Sequence, residues 1–567
     1  MKPTFQSNML YFVVQLRRLD QIIRCRETII AFAFIVSLGV FEHNILNIGF
    51  IRYITDLSFS GLPIWARVIM LTGYFVLAYL YVWVSCLSSW GVRYVSFTIF
   101  TIAVFIEYGY AMAYGRFIEI ADIKIAMGAT LENYHDAILS YFNWLSLISV
   151  AAYALLLLTT SNAKRVGFRS FSIVVSVILV VIMVGLRHSL VDPPALSITS
   201  FFRAAIIFPS TIDWPWILKF AAHRDTLSFR ASVPPRNNIL LIIDESYRSD
   251  HLSINGYQRD TTPFLAELVS KGDIYNWGTA SAAGTYSDVS NPILLTGVSD
   301  LPDTTYRTRL NPSIFQYAKA MGYTTFYYSG QTSKMPYEFS NDDMAYIDNF
   351  ITTQDMALNF EIDFEIAMRV RQLLNSAVGQ FIVIQKRGIH FDYDRQYPSK
   401  ADRWQPVLKS GRVDPAHRTE LVNSYDNALH YNCETFFRML LDQRDFLDTT
   451  TIVYTSDHGE TLADSGENYF HGGRSKSEAS VPLFIITRKK LPVNTNYRAS
   501  HFNVFPTLLD LMNFPISERK YKYDQSLLGT TAAEAERQRY CFSGALHGST
   551  FGTYSEWGKA AVFPFDQ

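Results

Sequence analysis

Long apolar runs fill the first third of the chain and then stop. Five stretches, at about 28–50, 67–88, 95–114, 141–160 and 170–187, are long and apolar enough to cross a bilayer. The first is interrupted by Glu42-His43-Asn44. The pattern predicts a five-helix transmembrane bundle over residues 1–190. Basic residues orient it. Arg17, Arg18, Arg24 and Arg26 precede the first span, and Lys164, Arg165 and Arg169 lie between the fourth and fifth. With both groups in the cytoplasm, an odd number of spans delivers the remaining chain to the other side. In a cell with two membranes that side is the periplasm. No small-residue cleavage site comes after the first apolar run, so a cleavable signal peptide is not expected. Glu42 and Glu107 fall in or near the spans. A charge there is a functional candidate, although a place in the headgroup region at a span end would also suit it.

Residues 191–236 mix aromatic, apolar and basic side chains, as in "FFRAAIIFP" and "WPWILKFAAHR". They suit an amphipathic connector lying in the membrane interface, which would hold the C-terminal half of the chain close to lipid. From residue 237 to 567 the pattern changes to that of a soluble domain. "NNILLIID", "YTTFYYSG", "QFIVIQKR", "TTIVYTSDHG" and "VPLFIITR" are short apolar runs that read as buried strands. "TTPFLAELVSKG" is a helix closing at Gly272, and "RTELVNSYDNALHYNCETFFRMLLDQ" is a longer one. Such alternation predicts an α/β domain with a largely parallel sheet, whose chemistry gathers beyond the carboxyl ends of its strands.

Composition narrows the reading a little. The 567 residues carry a formal net charge of -1, which gives no basic excess for nucleic acid. Of the four cysteines, Cys25, Cys86, Cys433 and Cys541, none forms a CxxC pair, so a cysteine zinc site is not expected. Cys433 and Cys541 share the soluble half, where pairing between them is open.

Three strand ends carry acids or imidazoles. "LLIIDES" delivers Asp244 and Glu245, "FIVIQKRGIH" delivers His390, and "IVYTSDHGE" delivers Asp457, His458 and Glu460. "NYFHGG" adds His471. Carboxylates with imidazoles suit zinc, which binds oxygen and nitrogen ligands. Residues 278–297, "GTASAAGTYSDVSNPILLTG", are rich in hydroxyls and end in a short helical pattern. A hydroxyl near a helix N-terminus and a bound cation can act as a nucleophile.

"DES" after an apolar strand, "NGYQRDTTPFL", "SDHGETLADSGENYFHGG" and "SHFNVFPTLLDLM" together resemble the alkaline-phosphatase/sulfatase superfamily. More narrowly, they resemble the bacterial phosphoethanolamine transferases of the inner membrane that modify lipid A, lipopolysaccharide core and other envelope glycans. The resemblance covers residues 237–515 and extends to the five spans. It implies an alkaline-phosphatase/sulfatase-like α/β fold, a multi-pass protein with a periplasmic catalytic domain, and phosphatidylethanolamine as donor. It also implies one tightly held Zn2+ in preference to Mn2+ or Mg2+, with room for a second at His390 and His471. The implied zinc ligands are Glu245, Asp457, His458 and a hydroxyl from 278–297. Aligning "GTYSDVSNP" without a gap selects Ser287, which is both ligand and catalytic nucleophile; Thr285 and Ser281 are the alternatives. His390, His471 and Lys334 are the implied substrate-binding residues, and His501 reads as structural.

The sequence departs from the pattern in places. Ala283 and Ile293 stand where lipid A-modifying members carry cysteines, and Val289 and Asn291 replace the Pro and Arg of sulfatases. The expected activity is phosphoethanolamine transfer by a monomer. Phosphoglycerol transfer from phosphatidylglycerol, a sulfatase-like phosphodiesterase and a non-catalytic envelope scaffold are the alternatives.

Overall fold

The computed structural model describes residues 26–42, 44, 90–114, 143–159, 223–299, 304–332, 336, 339, 341–356, 361–408, 417–442, 444–464, 471–531, 537–543 and 561–566. The chain divides into two compact units, the first of Met1–Ile125 and His135–Ser210, the second of Ala126–Tyr134 and Thr211–Gln567.

Three helices are described in the first unit: α1 (Arg26–Phe41), α2 (Trp90–Tyr114) and α3 (Trp144–Thr159). They fall on the first, third and fourth apolar runs; the runs at 67–88 and 170–187 lie outside the described residues. Among the described residues, one stretch, Trp90–Met112, is long and apolar enough to cross a membrane. The helices pack through aromatic side chains. Phe100 stacks on Tyr153 with ring centroids 4.1 Å apart, and Ser96 and Tyr153 share a 2.7 Å hydroxyl hydrogen bond. Trp90, Tyr94, Val95, Trp144, Ile148 and Leu158 point outward, an apolar exterior that suits lipid. Glu42 and Glu107 are fully buried in this unit, and the Tyr108 hydroxyl donates to Glu42 at 3.3 Å. Both are therefore shielded from solvent within this unit.

In the second unit the apolar runs form the predicted sheet. Strand β1 (Asn238–Asp244) is buried along its whole length. Leu240 and Ile242 enter one core, while Ile239, Leu241 and Ile243 enter another on the opposite face. This is the period-two signature of a strand covered on both sides. The other strands are β2 (Ile274–Ser281), β3 (Thr324–Ser329), β4 (Asn349–Ile351), β5 (Gln380–Gln385), β6 (Thr450–Ser456) and β7 (Ser480–Ile486). Their order is β2-β7-β6-β1-β5-β3-β4. Every pairing is parallel except those of β7, which runs against both β6 and β2. "VPLFIITR" is thus a strand, as expected, but the reversed one.

Helices α4 (Pro263–Lys271), α6 (Ile362–Ser376) and α7 (Arg418–Leu441) cover the first face. α5 (Ser287–Thr296) and α8 (Val504–Leu511) cover the second. Gly272 closes α4 in the left-handed conformation, as its position predicts. Cys433 lies in the first core and Cys541 in the second, and both are free thiols. The sheet between the cores rules out their pairing.

Residues 223–236, the end of the expected connector, run without helix against the second unit. Phe229 meets Phe514 edge-on at 5.1 Å. The Arg224 Nε pairs with buried Asp343 at 2.7 Å, and its Nη1 donates to the carbonyls of Thr308 and Asn311.

One buried ion pair underlies the sheet's functional edge. Lys386, just past β5, has its ammonium against Asp244 at the end of β1, and both side chains are fully buried. The ammonium also lies over the Phe436 ring at 4.4 Å. Removing one partner strands a charge in a low-dielectric interior, which typically costs about 3–5 kcal/mol. Lys386→Met should therefore destabilise the protein by that order, and adding Asp244→Asn should recover part of the loss. Denaturant unfolding of the purified full-length variants checks both.

Candidate active site

The parallel strands deliver their acids and imidazoles to one edge. Glu245 follows β1, Asp457 and His458 follow β6, and their ligand atoms lie within 4.8 Å of one another in a buried cluster. His458 Nε2 is 3.4 Å from Glu245 Oε1 and 3.5 Å from Asp457 Oδ2. The Nδ1 of His458 is committed to the Gly459 carbonyl at 2.8 Å. That bond needs a proton on Nδ1, so Nε2 is the nitrogen offered to the cluster.

Asp457 is held in the same way. Its Oδ1 accepts the backbone N–H groups of Ser246 at 3.2 Å and His458 at 2.7 Å, while Oδ2 is buried with no hydrogen-bond partner. An unpaired buried carboxylate oxygen is costly, by about 1–3 kcal/mol or more. Burial, and after it the Glu245 charge, pushes Asp457 up to about 7. Burial by itself would lower His458, but Asp457, Glu245 and Glu460 outweigh it and lift the imidazole to about 9. The donor set of two carboxylates, one imidazole and an orphaned oxygen fits a divalent cation, and the nitrogen ligand favours zinc.

Ser287 completes the cluster. Its Oγ lies 3.3 Å from His458 Nε2 and 3.5 Å from Glu245 Oε2. It is the first residue of α5, where the helix dipole favours negative charge. The turn before it is closed by Ser290 Oγ, which bonds both N–H and carbonyl of Gly284 at 3.0 Å. Gly284 has to be glycine, because a Cβ there would lie 2.3 Å from Val289. His501 ties the turn to β6, accepting from the Ala283 N–H on Nδ1 at 3.1 Å and meeting the Thr455 hydroxyl at 3.0 Å. Burial drops His501 to about 3, so it stays neutral in this bridging role. The other two hydroxyls face elsewhere. Ser281 is buried within β2, and the Thr285 hydroxyl donates to the Gly473 carbonyl at 3.1 Å.

A second group adjoins the first. Glu460 Oε1 accepts from His471 Nδ1 at 2.7 Å and from Ser246 Oγ at 2.9 Å. The same Ser246 hydroxyl lies 2.9 Å from Glu245 Oε1, so one side chain spans both groups. Ser246 has a φ of 67°, a strained conformation for a residue with a Cβ. The His458 and His471 rings are 4.1 Å apart. His390 is exposed, its Nδ1 bonded to the Phe391 carbonyl at 2.9 Å, and it belongs to neither group. Lys334 lies outside the described residues.

The structure adds two further participants. Gln331 donates from Nε2 to Glu245 Oε2 at 2.9 Å and to the Lys386 carbonyl at 2.7 Å. It stands two residues past the end of β3, so the strand-end rule is enough to flag it. Ser246 is in view beside Glu245, but its bridging role depends on a backbone angle that sequence does not reveal.

A buried cluster of carboxylates and an imidazole thus meets a serine on a helix N-terminus at the edge of a mainly parallel sheet. Residues 237–514 match the Sulfatase family model, and the second unit is a sulfatase-family domain of the alkaline-phosphatase/sulfatase superfamily. The chain's relatives narrow the comparison. The phosphoethanolamine transferase EptA of Escherichia coli (strain K12) is 25% identical over 423 residues, 66% of this chain and 73% of that protein. The phosphatidylethanolamine transferase Mcr-1 of Escherichia coli is 24% identical over 307 residues, 50% of this chain and 54% of that protein. The integral membrane protein lipooligosaccharide phosphoethanolamine transferase A from Neisseria meningitidis shares the fold. Its TM-score is 0.58 at 18% identity, covering 85% of this chain and 95% of that one.

Gly388 offers a test of how tightly the site is built. It adopts φ 60°, and a Cβ there would lie 2.6 Å from Asp244 Oδ1 and 2.8 Å from the Glu245 backbone nitrogen. Gly388→Ala should displace Glu245 and cost about 1–3 kcal/mol of stability through overpacking. The expected result is a lower zinc content in the purified full-length protein, read by elemental analysis, together with a lower unfolding midpoint.

Proposed function

We propose that this chain is a multi-pass inner-membrane enzyme that moves phosphoethanolamine from phosphatidylethanolamine to an envelope acceptor. The acceptor is lipid A, lipopolysaccharide core or another glycan, and the route is a covalent intermediate on Ser287. The observation that carries the reading is the Ser287 Oγ at the N-terminus of α5, 3.3 Å from His458 Nε2 and 3.5 Å from Glu245 Oε2. The names of the relatives support the substrate. The five-span domain over 1–190 and the connector after it would keep this site where a lipid donor can reach it.

Glu245, Asp457, His458 and the Ser287 oxygen would hold one zinc. When bound there, zinc supplies a lowered hydroxyl pKa and a polarised phosphoryl oxygen. Ser287 Oγ then bonds to phosphorus as the bond to the glycerol oxygen breaks. Diacylglycerol leaves with the proton, and phosphoethanolamine stays on the serine. An acceptor hydroxyl or phosphate oxygen attacks the same phosphorus and frees Ser287. The N–H groups at the start of α5 favour charge on the serine oxygen at each stage. His471, its Nδ1 held by Glu460, would stabilise charge on the phosphoryl oxygens. His390 at the exposed rim and Lys334 would be further partners for that charge; a second zinc at His390 and His471 would take the place of these roles.

Ser287→Ala should lower transfer by about a thousandfold or more. The assay follows labelled phosphatidylethanolamine in vesicles bearing the full-length protein. Intact-mass analysis without acceptor should find wild-type protein carrying one phosphoethanolamine on Ser287. A glycerol-bearing adduct would shift the donor to phosphatidylglycerol, and full activity in the alanine variant would remove Ser287 from its role.

A further inference from the structure

We infer that Gln331 is a positioning residue that sets the cation affinity of the site by holding Glu245 in its ligating pose. Glu245 is buried and has two oxygens to place. Ser246 Oγ lies 2.9 Å from Oε1, while Oε2 accepts from the Gln331 amide at 2.9 Å. The second contact of the same amide nitrogen is the Lys386 carbonyl at 2.7 Å. Both partners are pure acceptors, so the amide has one sensible orientation, with nitrogen inward. Its two hydrogens are then fully used, one on the ligand and one on the backbone just past β5. Lys386 is itself fixed, with its backbone N–H on the Ile243 carbonyl and its ammonium on Asp244. Gln331 also has its own backbone N–H on Ser329 Oγ at 3.2 Å. The amide therefore clamps the metal-facing carboxylate to the rigid ends of β3 and β5, which themselves contribute no ligand.

This role rests on the zinc site of the proposed function but makes a separate claim. Residues that orient a ligand in this way typically change metal affinity by about ten- to a hundredfold when lost. Gln331→Met keeps the length and packing of the side chain and removes both donors.

The test uses full-length protein in detergent and titrates zinc against a chelating indicator. Thermal unfolding is recorded with and without zinc. The expected result for Gln331→Met is zinc affinity weaker by about ten- to a hundredfold. Its metal-free unfolding temperature should match wild type, and its zinc-induced rise should be smaller. Excess zinc should restore most of its transfer activity, with the KM for donor lipid little changed. Wild-type affinity in Gln331→Met would overturn the inference and leave the zinc site standing. A lower metal-free unfolding temperature with unchanged affinity would make Gln331 merely structural. Absence of zinc binding by the wild-type protein would overturn the inference and the zinc site together.

Discussion

Buried negative charge is the constraint around which the catalytic domain is arranged. Asp244 and Glu245 end β1, and Asp457 and Glu460 follow β6 one strand away; none is more than 3% exposed. Four carboxylates so close and so dry cannot all ionise without compensation. Each has its own answer. Asp244 takes the buried Lys386 ammonium and the Tyr454 hydroxyl. Glu460 takes His471, whose charge holds it below the usual carboxylate range despite its burial. Glu245 and Asp457 face His458 between them, and Asp457 keeps one oxygen unmatched. Asp244 is thus satisfied by protein groups, while Asp457 Oδ2 and Glu460 Oε2 are each left without a hydrogen-bond partner, so the deficit is concentrated after β6, beside Ser287.

That concentration follows from topology. β6, β1, β5 and β3 lie side by side and parallel, so their carboxyl ends open on a single edge. β7 runs the other way and brings the chain back beside β2. The segment leaving β2 then turns through Gly284 and starts α5 with Ser287 at that same edge. A nucleophile on a loop would need separate anchoring. Here the helix, the Ser290 bonds and the His501 bridge fix it, and all three act on the segment "AAGTYSDVSNP".

Much of this is legible in the sequence because the strands are buried on both faces. Such strands read as unbroken apolar runs, and the polar residue after each run is conspicuous: Glu245 after "NILLIID", Asp457 and His458 after "TTIVYTS". The short β4 gives no such signal, and β2 is hidden by Asn276, Gly278 and Thr279 inside it. Reading residues 278–281 as loop keeps Ser281 among the candidates, whereas it is the last residue of β2, with its hydroxyl turned to the Tyr540 carbonyl. Lys386 also comes after an apolar run, where it looks like an ordinary strand-end base. Its importance lies in long-range partners, since Asp244 is 142 positions away. The orientation of β7, the φ of Ser246 and the amide of Gln331 are likewise tertiary facts that local pattern does not encode.

The same tertiary detail bears on how the two titratable groups divide their work. His458, Glu460 and His471 also come within 4.8 Å of one another, as Glu245, Asp457 and His458 do. Both sets draw on His458, which has a single nitrogen to give, because Nδ1 is spent on Gly459. Nε2 points at Glu245, Asp457 and Ser287. A cation held through His458 therefore belongs with the nucleophile, and the other set cannot share it. His471, with Nδ1 tied to Glu460, has its ring 4.1 Å from that of His458. The hydrogen bond from His458 to one backbone carbonyl is thus what commits its other nitrogen to the side where Glu245, Asp457 and Ser287 lie.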